Sequence, residues 1–217
     1  MKTLLLGATG RTGNLVLEAA LGKGYEVSCL VRDAKTIQPQ KGVAVHEGNP
    51  MNKADLERAI KGCDAIINVL NVSRKSDFPW SPLRSPKNLI SATIAQVVEI
   101  AERTKIKRIV TCSAWGARET KKDIPLWFRT LIERSNIGVA YADHERQEDL
   151  LEKSSMDWTI VRPVGLTNSK NHQKVLESFY NVPKPNLTIS RNTLAKYLVN
   201  CIEKEDLIHK KVVVSAK

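Results

Sequence analysis

Short apolar runs alternate along this chain with longer segments in which apolar residues recur every three or four positions. The runs Lys2 to Leu6, Glu26 to Val31, Val43 to Glu47, Ala65 to Leu70, Arg108 to Ser113, Trp158 to Val161 and Val212 to Val214 read as strands. Most are apolar throughout, as strands covered on both faces must be. Between them the periodicity predicts helices over Arg11 to Lys23 (Leu15, Ala19 and Ala20 inward), Lys53 to Lys61, Pro86 to Thr104 (Leu89, Ala92, Val97 and Ile100 inward), Asp143 to Lys153 and Arg191 to Lys204. Strand-helix-strand crossovers are right-handed, so this succession predicts an α/β, doubly wound parallel sheet of order 3-2-1-4-5-6, with Val212 to Val214 as an added edge strand and helices on both faces.

No internal repeat breaks the pattern, and residues 1–217 read as one domain. Ligands of such a sheet bind at the carboxyl ends of the strands. Three Pro-, Ser-, Asn- or Lys-rich connections leave those ends, at 71–85, 114–124 and 164–186, and are expected to wall a substrate cleft.

Composition narrows the partners. Hydrophobic residues make up 42% and charged residues 26%, which excludes a disordered chain. Leu4-Leu5-Leu6 is too short for a signal sequence and no apolar run reaches membrane-spanning length, so a cytoplasmic protein without membrane attachment is expected. Cys29, Cys63, Cys112 and Cys201 lack CxxC spacing and read as reduced thiols. The net charge of +11 suits anionic ligands. Because the basic residues are dispersed and not interleaved with aromatics, no specific nucleic-acid binding is expected.

The strongest chemical signal follows the first strand, where Gly7-Ala8-Thr9-Gly10-Arg11-Thr12-Gly13 leads into a helix. Glycines let the backbone approach a pyrophosphate, and the helix start directs unpaired N–H groups and partial positive charge toward it. The GxxGxxG spacing gains weight from the strand before it and the amphipathic helix after it. About 20 residues on, at the end of the second strand, stand Arg32 and Asp33. An arginine there suits the extra phosphate of NADP, and Asp33 is free to cap the next short helix. Arg11 is a second candidate cation.

The phrases GATGRTG, Tyr25-Glu-Val-Ser-Cys-Leu-Val-Arg-Asp and Asp157-Trp-Thr-Ile-Val-Arg-Pro163 resemble the atypical short-chain dehydrogenase/reductases. More narrowly they resemble the NAD(P)H-binding NmrA-like group that includes biliverdin IXβ reductase/flavin reductase. The resemblance is dense over residues 1–70 and 105–163 and thin after Pro163. It implies a Rossmann fold, NADP preference through Arg32, and pyrophosphate contacts from Gly7, Thr9, Gly10, Arg11, Thr12 and Gly13. It also implies contacts to the nicotinamide ribose from Leu70, Asn71 and Val72. Asn49 stands where the group usually has aspartate beside the adenine, and its amide carbonyl can still accept from the adenine amino group.

Catalytic residues depart from the superfamily, because the Tyr-x-x-x-Lys pair is absent: Tyr141 is followed four residues later by Glu145. Counting back from Asp157 puts His144 at the lysine position. Glu148 lies one helical turn on, and is expected to orient the imidazole and keep it partly protonated. Ser113, ending the fifth strand, is a second candidate near the nicotinamide. No metal signature appears, since His46, His144, His172 and His209 are scattered.

Two readings stay open. In one, NADPH reduces a small flat conjugated acceptor such as a flavin, a quinone or a bilin, the cleft working mainly by positioning. In the other, an NADP-occupied sensor acts through a protein partner gripping the loops around Trp80 and Trp115. The missing Tyr-Lys pair disfavours sugar-nucleotide chemistry. Monomer and dimer are both compatible with the sequence.

Overall fold

Leu4 and Leu6 point into one apolar layer and Leu5 into another, and this two-residue alternation at the centre of the sheet sets the architecture. The computed structural model describes residues 1–171 and 173–217; His172, one of the four histidines considered above, lies outside the described residues. The elements run β1 (Lys2–Leu6), α1 (Arg11–Gly22), β2 (Glu26–Val31), β3 (Val43–Glu47), α2 (Lys53–Ile60), β4 (Ala65–Asn68), α3 (Leu89–Ala101), β5 (Arg108–Cys112), α4 (Leu126–Glu133) and α5 (Ile137–Glu152). They continue with β6 (Asp157–Pro163), β7 (Gly165–Thr167), β8 (Val175–Ser178), β9 (Thr188–Ser190), α6 (Arg191–Asn200) and β10 (Lys210–Ala216).

The main sheet has the order β3-β2-β1-β4-β5-β6-β10-β8, so the predicted 3-2-1-4-5-6 core is present. Leu4 pairs with Ser28 on one side and Ile66 on the other, all parallel. On one face α1 and α6 pack over Leu5, Val27, Cys29, Ile67, Val110 and Val161. On the other, α2, α3 and α5 cover Leu4, Leu6, Ile66, Ile109 and Ile160 through Leu56, Ile94, Val97 and Leu151. Ile94 and Val97 are fully buried, and each contributes about 1.5–3 kcal/mol of apolar burial.

Local chemistry fixes the helix starts. Asn52 caps α2 by accepting from the Asp55 N–H, and Ser190 caps α6 by accepting from the Thr193 N–H. The start of α3 is capped from a distance: the buried Asp143 of α5 accepts from the Ile90 N–H at 2.7 Å and from the Ser91 hydroxyl at 2.5 Å.

Several expectations are corrected. Val212 to Val214 is not an edge strand. It lies within β10, parallel to β6, while β8 pairs antiparallel on its far side (Val214 opposite Glu177) and forms the true edge. That strand comes from the segment read as a cleft loop, because three half-buried residues and a buried serine in mixed order carry no legible alternation. Helix α5 begins at Ile137, before the expected Asp143, and α4 was not expected. In α1 the buried stripe is Gly13, Val16, Leu17 and Ala20, with Leu15 and Ala19 only partly covered. All four cysteines are free thiols. Among the described residues no helix is long and apolar enough to cross a membrane.

Candidate functional site

The turn after β1 is built by sterics. Gly7 has φ +90°, a conformation that L side chains rarely adopt, and its carbonyl accepts the Gly10 N–H at 3.0 Å. A Cβ on Gly13 would come within 1.9 Å of that same carbonyl, so the first turn of α1 can sit against the loop only because position 13 has no side chain. Gly10 starts α1 without a side-chain cap. The N–H groups of the first turn therefore have no side-chain partner, the arrangement that receives phosphate oxygens.

This turn floors a cleft of about 710 Å³ at the carboxyl ends of β1 to β4. Gly7, Thr9, Gly10, Arg11, Thr12, Gly13, Arg32, Asn49, Leu70, Asn71 and Val72 all line it, so the structure brings together the residues singled out for the dinucleotide. Arg32 is exposed at the end of β2, while Asp33 turns its carboxylate to the Lys35 N–H at 2.9 Å and caps the short turn that follows. Asn49 gives one carbonyl lone pair to the Met51 N–H at 3.0 Å. Arg11 forms a two-point ion pair with Asp77 at 2.9 and 3.1 Å, and that guanidinium holds the Asp77 carboxyl below the usual carboxylate range.

Of the three connections expected to wall the cleft, the first does so along its two arms, through Asn71 to Arg74, Ser76, Asp77, Arg84 and Ser85. Residues 71–85 form a hairpin-like excursion bridged at Arg74 and Leu83. It is pinned by the Trp80 indole N–H donating to the Arg134 carbonyl at 2.7 Å and by the Asn136 amide donating to the carbonyls of Trp80 and Ser81. Residues 114–124 do not reach the cleft, because Trp115, Ala117 and Ile124 are buried in the core, and Trp115 is 5% exposed. The segment 164–186 folds into β7 and β8 and contributes Leu166 to the cleft.

The catalytic candidates are placed differently from expectation. Neither Ser113 nor His144 lines the cleft; they are 3% and 4% exposed. Glu148 does not orient the imidazole. Its carboxylate accepts from the Ser113 hydroxyl at 2.6 Å and pairs with the guanidinium of Arg162, which is itself only 2% exposed and also bonds Glu119 at 2.7 Å. Two carboxylates raise the Arg162 pKa against the opposing effect of its burial, and Arg162 in turn holds Glu119 down to about 2. The His144 Nδ1 instead faces the Gln147 amide nitrogen at 2.8 Å. The Gln147 nitrogen is a donor, so Nδ1 accepts and the imidazole is neutral. Burial pushes its pKa down to about 4, against a smaller upward pull from Asp143. Burial likewise raises the Tyr141 phenol, whose hydroxyl donates to the Trp115 carbonyl. The hydroxyls of Ser113 and Tyr141 are thus engaged in internal hydrogen bonds, and neither they nor His144 line the cleft.

Sequence reasoning missed the network behind the cleft. The buried Asn68 amide donates to Thr111 and Gln147 at 3.1 Å, its carbonyl accepts the Leu70 N–H, and Gln147 donates onward to the Cys112 carbonyl and His144. It ties the end of β4, where Leu70 and Asn71 line the cleft, to α5. Only a polar residue inside an otherwise apolar strand hinted at it.

A family model described as NAD(P)H-binding matches residues 7–205. The chain belongs to the NAD(P)H-binding family. Its fold is the Rossmann-type doubly wound sheet that the solved structures below share. Among curated relatives it is 26% identical over 200 residues to the photosystem II assembly factor Ycf39 of Trieres chinensis, covering 91% of this chain and 56% of that one. The chain thus spans about half the length of the first curated relatives it matches. Three solved structures share the fold. The oxidoreductase ylbE of Lactococcus lactis superposes with TM-score 0.81 at 20% identity, covering 100% of this chain and 91% of that one. ChuY, an anaerobillin reductase of Escherichia coli O157:H7, gives 0.80 at 19% over 100% and 97%. A short-chain dehydrogenase/reductase of Veillonella parvula in complex with NADP gives 0.79 at 17% over 99% and 94%.

Proposed function

We propose that this protein is an NADPH-dependent reductase that passes hydride to a flat conjugated acceptor such as a flavin, a bilin or a quinone. The observation that carries the reading is the pairing of a built dinucleotide cleft with the burial and internal hydrogen bonding of Ser113, Tyr141 and His144. A ketone needs a strong acid for its developing alkoxide, whereas a conjugated ring delocalises the incoming charge and takes its proton from water. When bound, NADPH supplies the hydride and leaves as NADP+. The chain's own task is then to bind, orient and exclude water. In this reading Arg32 holds the 2′-phosphate, the first turn of α1 with Thr9, Arg11 and Thr12 holds the pyrophosphate, Asn49 meets the adenine, and Leu70, Asn71 and Val72 place the nicotinamide ribose. The NADP complex of the Veillonella protein and the bilin chemistry of ChuY support the cofactor and the acceptor class on the same fold.

A second reading, an NADP-occupied factor that acts through a protein partner, is favoured by the assembly-factor role of the Ycf39 relatives. One assay separates the two. Purified protein is mixed with NADPH and a panel of flavins, bilins and quinones, and loss of reduced-nicotinamide absorbance is followed. Turnover of any acceptor supports the reductase; tight NADPH binding with no turnover across the panel refutes it and leaves the partner-binding reading.

A further inference from the structure

Five arginines line the cleft, Arg11, Arg32, Arg74, Arg84 and Arg191, against one carboxylate, Asp77. Two of them have an assignment in the proposed function. Arg32 ends β2, at the adenosine side, and Arg11 opens α1 at the glycine turn. The other three have no role in the dinucleotide reading. Arg74 and Arg84 are carried by the two arms of the 71–85 excursion, where the Arg84 N–H donates to the Ser73 carbonyl at 2.8 Å. Arg191 begins α6 and is held in place by the Asn168 side-chain carbonyl at 2.6 Å.

These cations are under-neutralised. The Asp77 carboxylate is bound by Arg11 and lies within electrostatic reach of Arg74 and Arg191 as well. Burial and the like charge of Arg11 both lower the Arg191 pKa. The Nε of Arg74 is buried with no hydrogen-bond partner among the described residues. A guanidinium nitrogen withdrawn from water and left unbonded is costly, and a charge-assisted bond to an anion removes that cost. The neighbouring Ser73, Ser76 and Ser85 offer hydroxyls, and Leu89 and Leu166 offer apolar surface, in the same part of the cleft.

We propose that Arg74, Arg84 and Arg191 form an anion subsite for a carboxylate or phosphate arm of the acceptor, with Asp77 as its built-in competitor. The proposal rests on the reductase reading for the identity of the acceptor and narrows it to acidic members of the class: a flavin bearing phosphate, or a bilin bearing free carboxylates. Uncharged quinones and phosphate-free flavins lack the group that these arginines would hold.

Two matched pairs test it on the 217-residue chain saturated with NADP+: FMN against riboflavin, and a bilin diacid against its dimethyl ester, with binding read from flavin fluorescence and bilin absorbance. At least one acid is expected to bind tenfold or more tightly than its neutral partner. Arg74→Gln and Arg191→Gln should each remove most of that preference, leaving the neutral partner and NADP+ unaffected. Asp77→Asn, an exposed change that does not threaten folding, should tighten the acid severalfold and leave the neutral partner alone. Equal affinity within both pairs, or no binding of any of the four, overturns the subsite. Loss of NADP+ binding in the arginine variants with acid preference retained also overturns it, assigning these cations to the cofactor. Acid-selective binding with no NADPH oxidation by any member of the flavin, bilin and quinone panel would sustain the subsite and refute the reductase, and oxidation by neutral and acidic acceptors alike would do the reverse.

Discussion

His144 offers a direct test of the buried network behind the cleft, through the pH dependence of stability. Its imidazole is 4% exposed, accepts from Gln147, and is pushed by burial from 6.5 down to about 4. In the unfolded chain the ring takes up a proton as pH falls through about 6.5, whereas the folded ring does so only near 4. The unfolded state therefore binds more protons across that window, and the contribution of His144 to stability, complete above the unfolded pKa, is lost as pH falls. With 6.5 − 4 = 2.5 and roughly 1.4 kcal/mol per pH decade, the full loss is about 3.5 kcal/mol, of which about 3 kcal/mol is reached by about pH 4. His144→Gln keeps a neutral carbonyl able to accept from Gln147 and removes the titration. Urea unfolding of both proteins from about pH 7 to about pH 4 should show wild type losing stability relative to the variant by that order. The imidazole resonances should stay flat until well below pH 6. A midpoint near 6.5 for the ring, or parallel pH profiles for the two proteins, would refute the neutral buried assignment and return His144 to the list of proton donors. The same assignment predicts that turnover does not fall as pH rises through 7, and that His144→Gln costs less than about tenfold in rate.

Arg32→Ala should weaken NADPH binding at least tenfold, about 1.4 kcal/mol, and leave NADH binding nearly unchanged; equal loss for both cofactors by calorimetric titration would make Arg32 structural. Gly13→Ala places a methyl 1.9 Å from the Gly7 carbonyl, so dinucleotide affinity should drop by at least about tenfold with far-ultraviolet circular dichroism retained, and unaltered affinity would contradict the close-approach argument. Glu148→Gln leaves Arg162 buried with half its charge compensation, and should cost about 3–5 kcal/mol in chemical denaturation; a loss under about 1 kcal/mol would show that Glu119 alone suffices.

Much of this protein could be read along the chain because the relevant signals are local. The alternation of apolar runs and helical periods specifies a parallel sheet with two covered faces, and Leu4, Leu5 and Leu6 serve both. The dinucleotide side was legible for the same reason: Gly7, Gly10 and Gly13 with a helix behind them, and Arg32 at the end of the next strand, are features of single turns and strand ends. What tertiary structure decided depends on partners far apart in sequence. The place of β10 was unreadable because its edge neighbour β8 is three half-buried residues and a buried serine whose pairing exists only once β10 is there to receive it. The i, i+4 spacing of His144 and Glu148 suggested a pair, but Arg162 on β6 and Ser113 after β5 reach Glu148 in the buried layer and take the carboxylate. A buried guanidinium left without its counter-charge costs more than a helix-surface pair contributes, so the long-range partner wins over the neighbour one turn away.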